Sequence, residues 1–250
     1  MIQRRYLRPT GTYLSMEDQS RYLESNIDQE QLIQLVPFMS GLPEDCIHKI
    51  ASHFVTLSHP ANQILLLEND WGGSVYFILE GWVKIRTYNL DGKEVTLNII
   101  GRGEIFGEMA AMDKMPRSTD AITLTKTVIG RIPAEDFVNL INTEPMAGVR
   151  LIQLMAKRLR QVNRRLQLRE SSSVSRVADA ILFLVEGQGT EGEKGTEIPN
   201  LPHREISSLS GLARETVTRV LTKLEKKGLI QRDADSMRIP NLPALEDTIC

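Results

Sequence analysis

Apolar residues recur at three- and four-residue spacings over residues 31–54, then give way to short β-branched and aromatic runs as far as residue 132. The first stretch predicts short helices, one entered through Pro43 with Glu44 and Asp45 behind it, as helix starts favour. The second reads as strands: Gln63-Ile64-Leu65-Leu66, Ser74-Val75-Tyr76-Phe77-Ile78-Leu79, Trp82-Val83-Lys84-Ile85-Arg86 and Val95-Thr96-Leu97-Asn98-Ile99-Ile100. A turn at Asp91-Gly92 precedes the last of these, and a further strand pair is expected over residues 121–132. Short strands parted by Gly and Asp-Gly turns predict an antiparallel barrel or jelly roll.

Helical spacing returns over residues 135–168, with a break at Asn142-Thr143-Glu144-Pro145. Ile152, Leu159 and Leu166 fall seven apart with Met155 and Val162 between them, a narrow seam of coiled-coil type. Leu151, Leu154 and Ala156 lie off that seam. Two apolar faces predict a helix that packs on its own domain with one side and on a partner subunit with the other. Ser171-Ser172-Ser173 interrupts the period and offers N-cap oxygens to a helix over residues 174–185, so the hinge is placed there. A Gly/Glu-rich loop over 187–195 precedes helices at 204–210 and 214–227. Gln231-Arg232 and Met237-Arg238-Ile239 then suit the hairpin of a winged helix.

The expected class is α+β: an N-terminal β-barrel of jelly-roll type over residues 31–144, a long helix and hinge over 145–172, and a winged helix-turn-helix over 173–250. Residues 1–30 are polar, read as an extension, and suggest no role. Two domains suit a chain of 250 residues. A content of 41% hydrophobic and 25% charged residues fits folded, soluble domains. No apolar run approaches the ~18 residues that span a bilayer, so a cytoplasmic protein without a membrane partner is expected. Two cysteines, Cys46 and Cys250, are too few for a four-thiolate metal or iron-sulfur site and are expected to be unpaired thiols. The net charge of −2 does not advertise nucleic-acid binding. Its distribution matters more, because Lys and Arg crowd into 150–169 and 204–232 while acids dominate 186–197. Such local patches can neutralise phosphates on an acidic protein.

Most of the chemistry lies in Gly101-Arg102-Gly103-Glu104-Ile105-Phe106-Gly107-Glu108-Met109-Ala110 and the following Met115-Pro116-Arg117-Ser118-Thr119. Glycine before a helical turn lets backbone N–H groups approach an anion. Arg117 can grip a phosphate with two parallel charge-assisted bonds, and Ser118 and Thr119 supply hydroxyls beside it. Glu108 suits a different task, accepting from a sugar hydroxyl.

Phe106-Gly107-Glu108-Met109-Ala110 with Pro116-Arg117-Ser118-Thr119 resembles the phosphate-binding cassette of cyclic-nucleotide-binding domains. That resemblance implies that Arg117 and Ser118 hold a cyclic phosphate and Glu108 the ribose 2′-hydroxyl. Gly107, Met109 and Leu97 would line the pocket. It also lays the long helix over the pocket, with Val162 and Asn163 where family members place two polar residues against adenine. Val162 cannot make that bond. The missing bond is worth on the order of 1 kcal/mol, roughly fivefold in affinity, which bears on discrimination of cyclic AMP from cyclic GMP.

The C-terminal stretch from His203 to Leu221 has helix-turn-helix logic. Ile206, Leu209, Leu212, Val217, Val220 and Leu221 form one apolar face, and Gly211 sits at the tight turn. Arg214, Glu215, Thr218 and Arg219 occupy the opposite side of the second helix. Arginine can read guanine in the major groove and glutamate can accept from cytosine N4. Arg214-Glu215-Thr216-Val217-Thr218-Arg219 closely resembles the recognition helix of the cAMP receptor protein (CRP/FNR) family. By that resemblance Arg214, Glu215 and Arg219 read bases, while His203, Arg204 and Thr216 touch phosphates. The resemblance spans about residues 31–239 in the family's domain order. It implies a homodimer clasped through 146–168, cyclic AMP as allosteric effector, double-stranded DNA as partner, and RNA polymerase as a further contact near loop 187–195, where no residue match supports it. Three alternatives stay open: another effector on this architecture, no effector, or a regulatory subunit contacting protein instead of DNA. Haem sensing lacks a ligand near the cassette, since His48, His53 and His59 lie outside it. No catalytic constellation stands out.

Overall fold

The structure, a computed structural model, describes residues 29–249. The extension expected over residues 1–30, apart from its last two residues, and Cys250 lie outside the described residues. Helices α1 (Gln29–Leu35) and α2 (Glu44–Ser52) lead into strands β1 (Val55–His59), β2 (Ile64–Leu66), β3 (Ser74–Glu80), β4 (Val83–Tyr88), β5 (Glu94–Ile100) and β6 (Ile105–Phe106). A six-residue helix, α3 (Glu108–Asp113), interrupts the strands before β7 (Asp120–Thr123) and β8 (Thr127–Pro133).

The strands form two antiparallel sheets with orders β1-β8-β3-β6 and β2-β7-β4-β5, a jelly roll. Ile78, Phe106 and Ile129 of the first sheet pack with Val83, Ile100 and Ala121 of the second, so the sheets meet face to face. Strand alternation gives β3 a second buried face. Val75, Phe77 and Leu79 point away from the barrel interior into a cluster with Leu32, Met39, Ile47, Phe137 and Leu140. The helical segments therefore plaster one sheet from outside.

Helices α4 (Ala134–Thr143) and α5 (Pro145–Gln167) are separated by Glu144, with Pro145 at the first position of α5, as the expected break requires. At ~1.5 Å per residue α5 extends about 34 Å. Ala147 and Leu151 are buried in the helical cluster, and Leu154 and Met155 lean on it. Met155 thus belongs to the barrel side and not to the expected seam. Met146, Val149, Ile152, Leu159, Val162 and Leu166 form an exposed apolar stripe, 42–69% accessible.

Beyond α5, a 3-10 turn (Leu168–Glu170) and two extended serines lead to α6 (Ser173–Gln188), capped by Ser172 Oγ accepting from Ser175 N at 3.1 Å. Strands β9 (Thr190–Gly192) and β10 (Gly195–Pro199) follow, then α7 (His203–Ser210), α8 (Arg214–Lys226), β11 (Gln231–Arg232), β12 (Ser236–Ile239) and α9 (Leu242–Glu246). The residues expected to form a plain loop over 187–195 thus contain β9, and the wing is a four-stranded sheet ordered β11-β12-β10-β9. Val177, Ile181, Ile206, Val217, Leu221 and Ile239 join α6, α7, α8 and the wing in one core. That core continues into Trp82 and Ile99 of the barrel, so the two domains are docked.

Candidate ligand pocket and nucleic-acid interface

A cavity of about 380 Å³ opens between the cassette, strands β4, β5 and β7, and the flank of α5. Its size suits a nucleotide-scale ligand. Gly107, Glu108, Met109, Arg117, Ser118, Leu97 and Val162 all line it, so these residues, separated by up to 65 positions, meet around one space. Asn163 does not line it and is exposed. One residue along a helix is a rotation of ~100°, which turns Asn163 away when Val162 faces in. Asn163 therefore points away from the cavity of its own chain.

Arg117 is 4% exposed. Its Nη1 donates to Gly107 O at 2.6 Å and its Nη2 to Ser74 O at 2.7 Å, while the guanidinium lies over the Tyr76 ring. Tyr76 is itself stacked on Phe106. Two glycines make room for this. A Cβ on Gly72 would stand 2.2 Å from Arg117 Nη2, and one on Gly107, left-handed at φ +80°, would stand 2.7 Å from Nη1. Arg117 Nε is buried without a partner, and no carboxylate touches the guanidinium among the described residues. Burial pulls its pKa down, opposed by Tyr76 and the Glu108 charge nearby. A buried cation lacking a counter-ion is costly and favours an incoming anion.

Glu108, 3% exposed, accepts from Arg158 Nη1 of α5 at 2.7 Å. Arg158 also reaches Glu104 and Ile105 O. This clamp ties α5 to the cassette. Asn98 and Arg165 also line the cavity, and Asn98 Oδ1 is buried without a partner. Arg165 Nη2 donates to Leu97 O at 2.6 Å while its guanidinium covers the Phe183 ring of α6. The sequence pattern assigns no role to Arg158, Asn98 or Arg165; the one available signal is that Arg158 lies four residues, about one helical turn, before Val162 on the helix expected to cover the pocket.

In the winged domain, the helix-turn-helix turns at Gly211, left-handed at φ +66°. Ser207 Oγ donates across it to Leu212 O at 2.6 Å. Val217, Val220 and Leu221 anchor α8 inward, leaving Arg214, Glu215, Thr218 and Arg219 exposed on the other side. Thr216 is half-buried and accepts from Arg219 Nη2 at 3.3 Å. Arg204 is exposed but engaged: its Nε meets Glu205 Oε1 at 2.8 Å. Glu205, 1% exposed, is also paired with Lys84 of β4 at 3.0 Å, and Thr96 Oγ1 of β5 donates to Ser208 Oγ at 2.6 Å. Helix α7 is thus held against the barrel by polar contacts beside a larger interdomain cleft of about 1010 Å³.

His203 links α7, α8 and the wing. Arg232 Nη1 lies 2.7 Å from His203 Nε2 and can only donate, so Nε2 accepts and Nδ1 carries the proton given to Thr218 Oγ1 at 2.8 Å. Burial, then the charges of Arg232 and Arg214, lower the His203 pKa, opposed by Glu225. Below about pH 6.5, the ordinary imidazole value, the unfolded chain binds more protons at this residue than the folded one. Stability from His203 is therefore complete above that pH and is lost as pH falls towards the depressed folded value. We expect the His203 ring resonances to titrate below the ordinary range in an NMR titration, and Arg232→Gln to move that midpoint upward. An unmoved midpoint would remove the Arg232 contact from the account.

The barrel with its anion-suited cavity and the docked helix-turn-helix define a ligand-responsive class of DNA-binding protein. The cyclic nucleotide-binding domain model matches residues 56–144, and the Crp-like helix-turn-helix domain model matches 175–248. The chain is 30% identical over 213 residues to the Cyclic AMP receptor protein of Thermus thermophilus, covering 84% of this chain and 95% of that one. It is 28% identical over 212 residues to the CRP-like cAMP-activated global transcriptional regulator of Mycobacterium tuberculosis, again covering 84% and 95%. Among solved structures, FixK2 from Bradyrhizobium japonicum matches its fold with a TM-score of 0.69 at 18% identity, covering 79% of this chain and 98% of that one. The chain belongs to the cAMP receptor protein (CRP) family of DNA-binding transcription regulators, and is not an enzyme.

Proposed function

We propose that the protein is a cyclic AMP-responsive transcription regulator acting as a homodimer on near-palindromic sites. The observation that carries the effector half is Arg117: a buried guanidinium in a nucleotide-sized cavity, with Nε lacking a partner and no carboxylate in contact among the described residues. When bound, the nucleotide supplies a single phosphodiester negative charge, a ribose hydroxyl and a purine face. Arg117 and Ser118 would hold the phosphate, Glu108 the 2′-hydroxyl, and Gly107, Met109, Leu97 and Val162 the surrounding walls. Glu108 is shared with Arg158, so occupation of the cassette bears directly on α5. The exposed stripe of Met146, Ile152, Leu159 and Leu166 supports dimerisation through this helix, with Asn163 then free to face the partner's side.

The domain division 31–144, 145–172 and 173–250 follows this assignment of roles. Arg214, Glu215 and Arg219 read bases in the major groove, with Thr218 beside them, while His203, Arg204 and Thr216 contact phosphates. In a dimer of this type the two half-sites lie ~34 Å apart, one helical turn. The effector must bind the DNA-competent state more tightly than the other. The segment 187–195, which carries β9, remains the proposed meeting point with RNA polymerase.

Calorimetric titration with cyclic AMP, cyclic GMP and cyclic di-GMP, with and without operator DNA, tests the effector. Tightest binding of cyclic AMP, strengthened by operator, is expected; binding of none of the three refutes it. Arg219→Ala should cost ~1–3 kcal/mol at the preferred site and little at random DNA. Equal losses on both would make Arg219 a phosphate contact.

A further inference from the structure

The turn between α7 and α8 is held from behind by a residue that touches neither the ligand cavity nor the exposed face of α8. Arg176, one turn into α6, donates Nε and Nη2 to Ser210 O at 3.0 and 2.7 Å, and Nη1 to Arg169 O at 3.1 Å. Ser210 is the last residue of α7, and Arg169 belongs to the 3-10 turn that ends the long helix. Both carbonyls sit at helix C-terminal ends, where intrahelical donors run out and partial negative charge collects. A planar fork with fixed donor directions can satisfy both at once, whereas a lysine ammonium is a single point. The position is otherwise a poor one for a cation, since the N-terminal end of α6 carries the positive end of its dipole. Gly211 completes the fit: a Cβ there would stand 2.8 Å from Arg176 Nη2.

The backbone route between the same two points is weak. Only Ser171 (φ −78°, ψ 169°) and Ser172 (φ −57°, ψ 153°) join the 3-10 turn to α6, both extended. Two residues with four soft dihedrals transmit little orientation by themselves. Arg176 spans that joint.

We infer that Arg176 is a positioning residue that couples the end of the long helix to the helix-turn-helix. It ties the Arg169 carbonyl to the Ser210 carbonyl, so a displacement of the α5 end carries the α7–α8 turn with it and re-aims α8. The inference rests on the reading of α5 as the element that senses the occupied pocket.

The test uses the full chain and the variants Arg176→Gln and Arg176→Lys. Amide hydrogen exchange is followed without nucleotide or DNA, and operator affinity is measured with and without cyclic AMP. In Arg176→Gln, segments 168–172 and 207–213 should both exchange about tenfold faster. The ratio of operator affinities with and without cyclic AMP should fall below about twofold, with cyclic AMP affinity itself nearly unchanged. Arg176→Lys should fall between this and wild type, and serves if the Gln variant does not fold. Acceleration in one segment only or in neither, or a wild-type affinity ratio in Arg176→Gln, overturns the proposal; a merely structural role would lower thermal stability and leave that ratio intact. A wild-type protein indifferent to cyclic AMP would instead defeat the effector reading, and the exchange comparison would still decide the coupling.

Discussion

Replacing Arg117 with leucine should abolish the proposed cyclic AMP-stimulated operator binding while leaving the proposed dimer intact. The guanidinium is a buried charge lining the cavity that no carboxylate touches among the described residues, and its Nε is buried without a partner. Charge-assisted hydrogen bonds contribute roughly 1.5–3 kcal/mol each, so losing even two costs at least ~3 kcal/mol, about 150-fold in nucleotide affinity. Arg117→Leu also strands Gly107 O and Ser74 O, which Arg117 satisfies in the folded chain, so a modest drop in thermal midpoint accompanies it. Arg117→Lys retains the charge but not the fork, and should fall between the two. The decisive measurement is operator binding at a nucleotide concentration that saturates the wild type, with sedimentation run on the same samples. Full stimulation in Arg117→Leu would remove Arg117 from the effector site.

The architecture was legible where periodicity is strong. Strands β3, β4 and β5, the two faces of α5, and the α7–α8 pair all rest on apolar spacings that a single element must bury. Strands β9 and β10 were not legible, because Thr190, Glu191, Gly192, Thr196 and Glu197 carry no apolar alternation, and β10 takes its place through pairing with β12, more than 35 residues further along the chain. The pocket residues were legible as a motif, yet their energetics were not. Glu108 looks free in sequence; in the fold it is held by Arg158, 50 positions away, and nothing local encodes that pairing. Asn163 shows the resolution limit of pattern reasoning: Val162 and Asn163 are neighbours in sequence but lie about 100° apart around α5. The contacts between the domains were invisible for the same reason, since Lys84 reads as one residue of a strand and Glu205 as one acidic residue of a helix.

Those contacts carry the second large effect. Lys84→Met should destabilise the docked arrangement by ~3 kcal/mol, because it leaves the 1% exposed Glu205 carboxylate with Arg204 as its remaining cation. Glu94, which also pairs with Lys84, keeps its bond to Arg86 and contributes less to the loss. The cost has a ceiling: if it exceeds what the α7–barrel contact contributes, α7 separates and Glu205 returns to water. Combining Lys84→Met with Glu205→Leu should recover most of the stability, since a buried ion pair exchanged for packed apolar groups is often neutral or favourable. Arg204, 63% exposed at its side chain, then loses only a surface partner. Chemical denaturation of the wild type, both single variants and the double variant gives the coupling directly, expected at ~1–3 kcal/mol. A coupling under ~0.5 kcal/mol would mean that Lys84 and Glu205 are already solvated in solution and that other contacts, among them the Thr96–Ser208 hydrogen bond and the packing of Trp82 and Ile99, hold the domains together. The same double variant frees Arg204 from Glu205, so a phosphate contact by Arg204 should survive in it, and the loss of operator affinity on adding Arg204→Ala should match that in the wild type or exceed it.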